Sequence, residues 1–343
     1  MLMDNSEGEV VNRYYLCRFF GVFPRFMSCY LWALVFFSLF FLFSGFGIIY
    51  DSVLGVFPGE LRLLRDLFVW NWAMCFYYSV VSIYLSRRFY RVMFRWINGQ
   101  DFVSNVDVKA TLKNDVCRFL NLGFGWIPLT FFTVIYVSRF FIMSLMTPSP
   151  LEFGAAYRLW YLGGDIAVNY VFLCALWSLI LFSAILRWVA GAYPIRINDL
   201  ADYKERFKDL VGQANWHLSV LGLIMATFFF GILYWSFSVG TVQYYLAAVF
   251  LLFLAGVSVS LVFWLNFSGI NEGLEKTKRA KIASIRSSAL SWEFKDLQIS
   301  LHSQVSIWSV GTKVWESLLR PLIIAEIPLI AQSIIEFFRI ISS

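Results

Sequence analysis

Phosphate recognition is the chemistry that the best-defined polar segments of this sequence allow. In SRRFYRVMFRW, Arg88, Arg91 and Arg95 stand at i, i+3 and i+7 on one helical face, with Phe89, Tyr90, Phe94 and Trp96 interleaved. In EKTKRAKIASIR, Lys276, Lys278, Arg279, Lys281 and Arg286 follow one another closely. Basic groups hold phosphate oxygens while aromatic rings accept stacked bases. The same composition also anchors a membrane protein to anionic lipid. Two readings therefore stand for both segments: a site for a soluble anionic ligand, such as a nucleotide or oligonucleotide, or a topological anchor.

Other chemistry finds little to work with. His217 and His302 are far apart, and neither has a carboxylate or thiol at ligand spacing, so no metal site is expected. Cys17, Cys29, Cys75, Cys117 and Cys174 are single and odd in number, and form neither a disulfide framework nor a zinc site. Cys29, Cys75 and Cys174 fall in or beside apolar runs, where a thiol behaves as a small hydrophobe. No nucleophile elbow, phosphate-binding loop or dinucleotide fingerprint occurs, and the carboxylates cluster in polar stretches rather than apolar pockets. No catalytic residue, cofactor or enzymatic activity is expected.

The elements that must carry the basic segments are set by composition. Of 343 residues, 59% are hydrophobic and 15% charged, against about 25% charged in an ordinary soluble domain. A water-facing shell cannot hide that much apolar surface, so an all-α polytopic membrane protein is expected. A helix crosses the hydrocarbon core with about 20 apolar residues. Six runs qualify: Ser28–Tyr50, Leu67–Leu85, Leu120–Met146, Asp165–Leu186, Leu218–Val239 and Val242–Phe267. The first is too long, and starts too far from Met1, for a signal peptide.

Cytoplasmic flanks carry excess Lys and Arg. With both termini inside, segments 1–27, 86–118, 187–217 and 270–343 hold 24 of the 28 basic residues, and external loops 51–66 and 147–164 hold three. That bias predicts an inner (plasma) membrane protein with N- and C-termini cytoplasmic, and accounts for most of the +6 net charge. The chain then divides into an interfacial segment 1–27, a six-span domain 28–269 and a cytosolic tail 270–343. Loops 86–118 and 187–217 join the tail in a helical cytosolic layer. The second loop predicts a helix capped by Asn198 or Asp199, with Leu200, Tyr203, Phe207, Leu210 and Val211 on one face, running unbroken into the fifth span.

Polar residues within the spans are few. Arg139 snorkels or pairs with Asp165, and Asn71, Asn169 and Asn266 bridge or cap helices. The sixth span is richest in small residues, including the pair Gly256 and Ser260. With Ser258, these are the candidate pore lining, a largely hydrophobic wall that would gate by dewetting. In the tail, Ile323, Ile327, Ile330, Ile334, Phe337 and Ile341 recur at spacings of four and three, while Glu326, Gln332, Ser333, Glu336 and Arg339 avoid that seam. Isoleucine at both seam positions favours trimers or tetramers. Packing against the chain's own cytosolic loops is the alternative. Glu326, Glu336 and Pro328 argue against a seventh span, and Pro328 is expected to kink the run or start its last helix.

The layout resembles the multi-pass membrane effectors of bacterial anti-phage defence systems, such as the Hailong-type effector channel. That resemblance covers general architecture and assigns no residue a role. It implies a homo-oligomeric ion channel opened by a cytosolic nucleotide or nucleic-acid signal. The partners expected are membrane lipids, further copies of the chain, and the ligand or the cytosolic protein that makes it. A non-conducting scaffold and a facilitator or lipid-handling protein are the alternatives.

Overall fold

The computed structural model describes residues 61–103, 107–123, 155–239, 241–306 and 319–331, with a few isolated positions besides. Among them the fold is all-α. Its helices are α1 (Leu61–Gly99), α2 (Val108–Gly123), α3 (Ala155–Ala192), α4 (Leu200–Val239), α5 (Thr241–Ser287) and α6 (Trp292–Ser303), followed by α7 over residues 319–331. The strand-like pairing described is one antiparallel bridge between Phe102 and Ile195. Among the described residues, two helical stretches are long and apolar enough to cross a membrane, Tyr170–Ala192 in α3 and Leu200–Gly231 in α4. The expected spans Leu67–Leu85 and Val242–Phe267 lie within α1 and α5. The first span, most of the third, segment 1–27, Arg139, and the side chains of Asn71, Asp165 and Asn169 lie outside what is described.

Helices overrun the apolar runs at their cores. α1 continues past Leu85 to Gly99, α3 begins at Ala155 inside the expected external loop, and α5 extends to Ser287. The backbone ladder needs no apolar side chains to continue, and these extensions contain no proline. At 47 residues, α5 is about 70 Å long, more than twice a hydrocarbon core of about 30 Å.

The chain forms two compact units, one of residues 1–88 and 118–178, the other of 89–117 and 179–343. In the first, Tyr78 meets Phe172 edge-on at 5.5 Å, and Trp177 donates to the Gly123 carbonyl at 2.8 Å. Ser79 and Ser178 donate to the carbonyls of Cys75 and Cys174, four residues back. Hydroxyls satisfied in this way can sit in apolar surroundings. Cys75 and Cys174 are buried and free, as small hydrophobes would be.

In the second unit α4 packs along α5, and α6 packs on α5. Asp199 caps α4: its Oδ1 accepts from Asp202 N at 3.0 Å, while Asp202 Oδ2 accepts from Asn198 N at 2.8 Å. Tyr203, Phe207, Leu210, Ala214, Leu218, Leu221 and Met225 then form one buried seam. The helix passes from its charged half into its apolar half without a break, as the pattern predicts. Leu200, expected on the buried face, is exposed because it stands in the first turn, ahead of the seam.

Candidate functional site

The second unit gathers polar residues where α3, α4 and α5 meet. α3 and α5 come together through Gly269 and Gly273, four residues apart. A Cβ on Gly269 would overlap the Arg187 backbone, and one on Gly273 would overlap the Ala190 carbonyl. Small residues at this spacing let helix backbones touch. The sequence carries that signal in SGINEG, just beyond the Gly256–Ser260 pair singled out above.

A buried cluster lies beside this crossing. His217 of α4 is fully buried, and its Nε2 accepts from Gln213 Nε2 at 2.9 Å. Its Nδ1 lies 3.3 Å from Asn266 Oδ1 on α5 and 3.4 Å from Ser183 Oγ on α3. A neutral imidazole with its proton on Nδ1 fits all three contacts. Phe89 stacks on Phe182 at 4.5 Å and on His217 at 5.9 Å, closing the cluster with rings. Gln213 Oε1 and Asn266 Nδ2 have no hydrogen-bond partner here. Asn266 therefore bridges helices, as expected. Gln213 and Ser183 were missed: the i, i+4 spacing of Gln213 and His217 is visible in sequence, whereas Ser183 arrives from another helix.

The second basic segment is largely engaged within the chain. Lys276 Nζ donates to the Gly191 carbonyl at the end of α3 and pairs with Glu272 at 2.9 Å. The Lys276 ammonium, by hydrogen bond and charge, holds the Glu272 carboxyl below its usual range. Thr277 Oγ1 accepts from Ile195 N at 3.2 Å. Lys278 is buried and pairs with Glu275 at 2.7 Å, and Lys281 Nζ donates to the Asn198 carbonyl at 3.0 Å. These groups clamp the α3–α4 connection onto α5. Arg279 and Arg286 are exposed.

In the first segment Arg91 and Arg95 are exposed and Arg88 is half-buried. Arg88 belongs to the first compact unit, Arg91 and Arg95 to the second. The end of α1 is tied to α4: Trp96 Nε1 donates to the Arg206 carbonyl and Arg206 Nη1 to the Gly99 carbonyl, both at 2.8 Å. A cleft of about 290 Å³ opens beside this junction, lined by Gln100, Asp101, Phe102, Asp107, Lys109 and Arg196 among others.

Tyr203 and His302 join α4 to α6. His302 Nδ1 lies 3.2 Å from the Tyr203 hydroxyl, and both side chains are buried. Burial first, and the charge of Glu275 second, push the Tyr203 phenol up to about 12. Burial and then Lys281 hold the His302 imidazole below its ordinary value, against an opposing pull from Asp199.

On α5, Gly256 and Ser260 share a face, while Ser258 lies on the other flank. Gly256 and Ser258 are half-exposed and Ser260 is exposed. In the tail, Ile323, Ile327, Ile330 and Ile334 are each 50–60% exposed, whereas Pro321, Ala325 and Pro328 are buried. Phe337 and Ile341 lie outside the described residues. α7 runs through Pro328 rather than starting there. Pro321 rests against Gly222 of α4, where a Cβ would lie 2.7 Å from the Pro321 Cα. Residues of α7 other than the isoleucine seam are thus the ones buried, and the seam stays open.

Among the described residues no group of His, Cys, Asp and Glu is arranged to hold a metal ion. The arrangement defines an all-α chain whose charged helical segments continue directly from apolar ones. Comparison with protein-family models, curated proteins and solved structures finds no match to this chain.

Proposed function

We propose that the chain is one subunit of a homo-oligomeric ion channel of the inner membrane. In this reading it has six spans and cytoplasmic termini, and a cytosolic anionic ligand, a nucleotide or oligonucleotide, gates it. The observation that carries the reading is the continuity of α1, α4 and α5 between charged segment and apolar segment. A displacement of the basic layer would reach the membrane with no loop to absorb it. The ligand meets Arg91, Arg95 and Arg279, which are exposed, while Lys276, Lys278 and Lys281 stiffen the layer that transmits the movement. Gly256 and Ser260 contribute a weakly polar strip to the pore wall. The open isoleucine seam of α7 joins subunits, with trimers or tetramers favoured by its pattern. A role as an effector of anti-phage defence follows from the resemblance in layout.

A scaffold reading is favoured by one observation. Leu290, Trp292, Phe294, Leu297 and Leu301 on and before α6 are all exposed, an apolar face on which a cytosolic partner could dock. Ion flux separates the two readings. Proteoliposomes loaded with a potassium-sensitive dye are challenged with ATP or a short single-stranded DNA. Flux that responds to either probe in wild type, and is lost with Arg91→Glu/Arg95→Glu/Arg279→Glu in correctly inserted protein, supports the ligand-gated channel. Flux indifferent to both the ligands and the triple substitution overturns the gating, and absence of flux favours the scaffold.

A further inference from the structure

Along α5 the side chains of Leu246, Val257, Leu261 and Trp264 lie on one face, about 80° round the helix from Gly256 and Ser260, and each is at least 40% exposed. From Leu246 to Trp264 the stripe rises about 27 Å, close to the hydrocarbon thickness of about 30 Å. At its end the Arg187 guanidinium carbon lies 4.0 Å from the centroid of the Trp264 ring. Beyond Trp264 the exposed residues of α5 turn polar, with Asn271, Glu272 and Arg279. An apolar stripe of membrane length, closed by a tryptophan and a cation, has the pattern of a lipid-facing surface ending at the headgroups.

Arg187 is held at both ends. Gly269 seats its backbone against α5, and the Trp264 ring carries its guanidinium. The nearby Glu272 carboxylate is paired first with Lys276, and the charge of Arg187 adds a smaller attraction to it. A planar guanidinium offers a fork of donors that suits two phosphate oxygens at once. We propose that Arg187 and Trp264 form a binding site for the phosphate of an anionic phospholipid in the cytosolic leaflet. The lipid's acyl chain would run along Val257 and Leu261, on the flank away from Gly256 and Ser260. The proposal rests on the membrane reading above and adds to it a defined lipid site.

The test is native mass spectrometry of the full-length protein released from detergent micelles containing phosphatidylglycerol or phosphatidylcholine. Wild type should retain phosphatidylglycerol in preference. Arg187→Gln should cut that retention about tenfold, as loss of a charge-assisted hydrogen bond would. Arg187→Lys, which keeps the charge and loses the fork, should fall between, and Trp264→Leu should weaken retention while sparing the subunit count. Lys208→Gln, exposed on the charged half of α4, should match wild type. Undiminished phosphatidylglycerol in folded Arg187→Gln overturns the site while leaving the membrane reading intact. Displacement of the lipid by millimolar inorganic phosphate reassigns the site to a soluble anion and overturns it. A lower subunit count in Trp264→Leu gives the stripe to a second copy of the chain and overturns it too. A wild type that stays monodisperse without detergent and retains neither lipid overturns the membrane reading itself.

Discussion

Replacing Gly222 by alanine tests how α7 is held. The new Cβ would lie 2.7 Å from both the Cα and the carbonyl oxygen of Pro321 and 3.0 Å from its Cβ, where ordinary contact begins at 3.4 Å. The obstructing atoms are mostly backbone, so no side-chain rotation relieves the overlap, and α7 must retreat by about 0.7 Å. A gap of that size forfeits about a quarter to a half of the dispersion energy across a contact. Overpacking of this kind costs about 1–3 kcal/mol. Alanine also favours the α4 helix by up to about 1 kcal/mol over glycine. Gly212→Ala isolates that gain, because Gly212 is on the same helix with nothing within 4 Å of its Cβ position. The assay is hydrogen exchange of residues 319–331, read by mass spectrometry in detergent. Relative to Gly212→Ala, exchange in Gly222→Ala should be about 5- to 150-fold faster, the equivalent of 1–3 kcal/mol of local opening. Equal exchange in the two variants would refute the docking of Pro321 on Gly222.

Three further outcomes are expected. The fold favours neutral His302, so the unfolded chain takes up its proton first as pH falls through 6.5; the stabilisation is complete above that pH and declines as pH drops from 6.5 through the lower folded value. Thermal melts from pH 8 to pH 5 should show this decline in wild type and a shallower one in His302→Gln, and superimposable profiles would exclude the contact as its source. Ile334→Asp should lower the subunit count in native mass spectra while Gln332→Glu leaves it alone, because a carboxylate in a symmetric seam is desolvated and faces its own copies; an unchanged count in folded Ile334→Asp removes α7 from the assembly interface. Single cysteines in 147–164 of a cysteine-free background should react with an impermeant reagent from outside, and those at Ser287 or Ser288 only after permeabilisation; external labelling of either serine position reverses the topology.

Features carried by neighbouring residues were legible in the sequence. The Asp199 cap and the seam Tyr203, Phe207 and Leu210 depend on contacts within one helix or on a simple period, and the unbroken passage of α4 follows from them. Helix ends were less legible, since an apolar window measures what lipid tolerates and not how far backbone hydrogen bonds continue. Lys276, Lys278 and Lys281 show the limit for site residues: an ammonium satisfied by a backbone carbonyl or a carboxylate has the same sequence as one waiting for phosphate. The cluster around His217 needed three helices to converge. Arg187 and Trp264 meet only because Gly269 brings α3 onto α5, and neither residue is distinctive in isolation.

Conduction is the property on which the proposed function stands. Purified protein reconstituted in planar bilayers should give discrete single-channel steps, with an open probability that changes when ATP or single-stranded DNA is added to the side carrying the basic layer. Silent bilayers containing protein verified as inserted, with either ligand present, would contradict the channel.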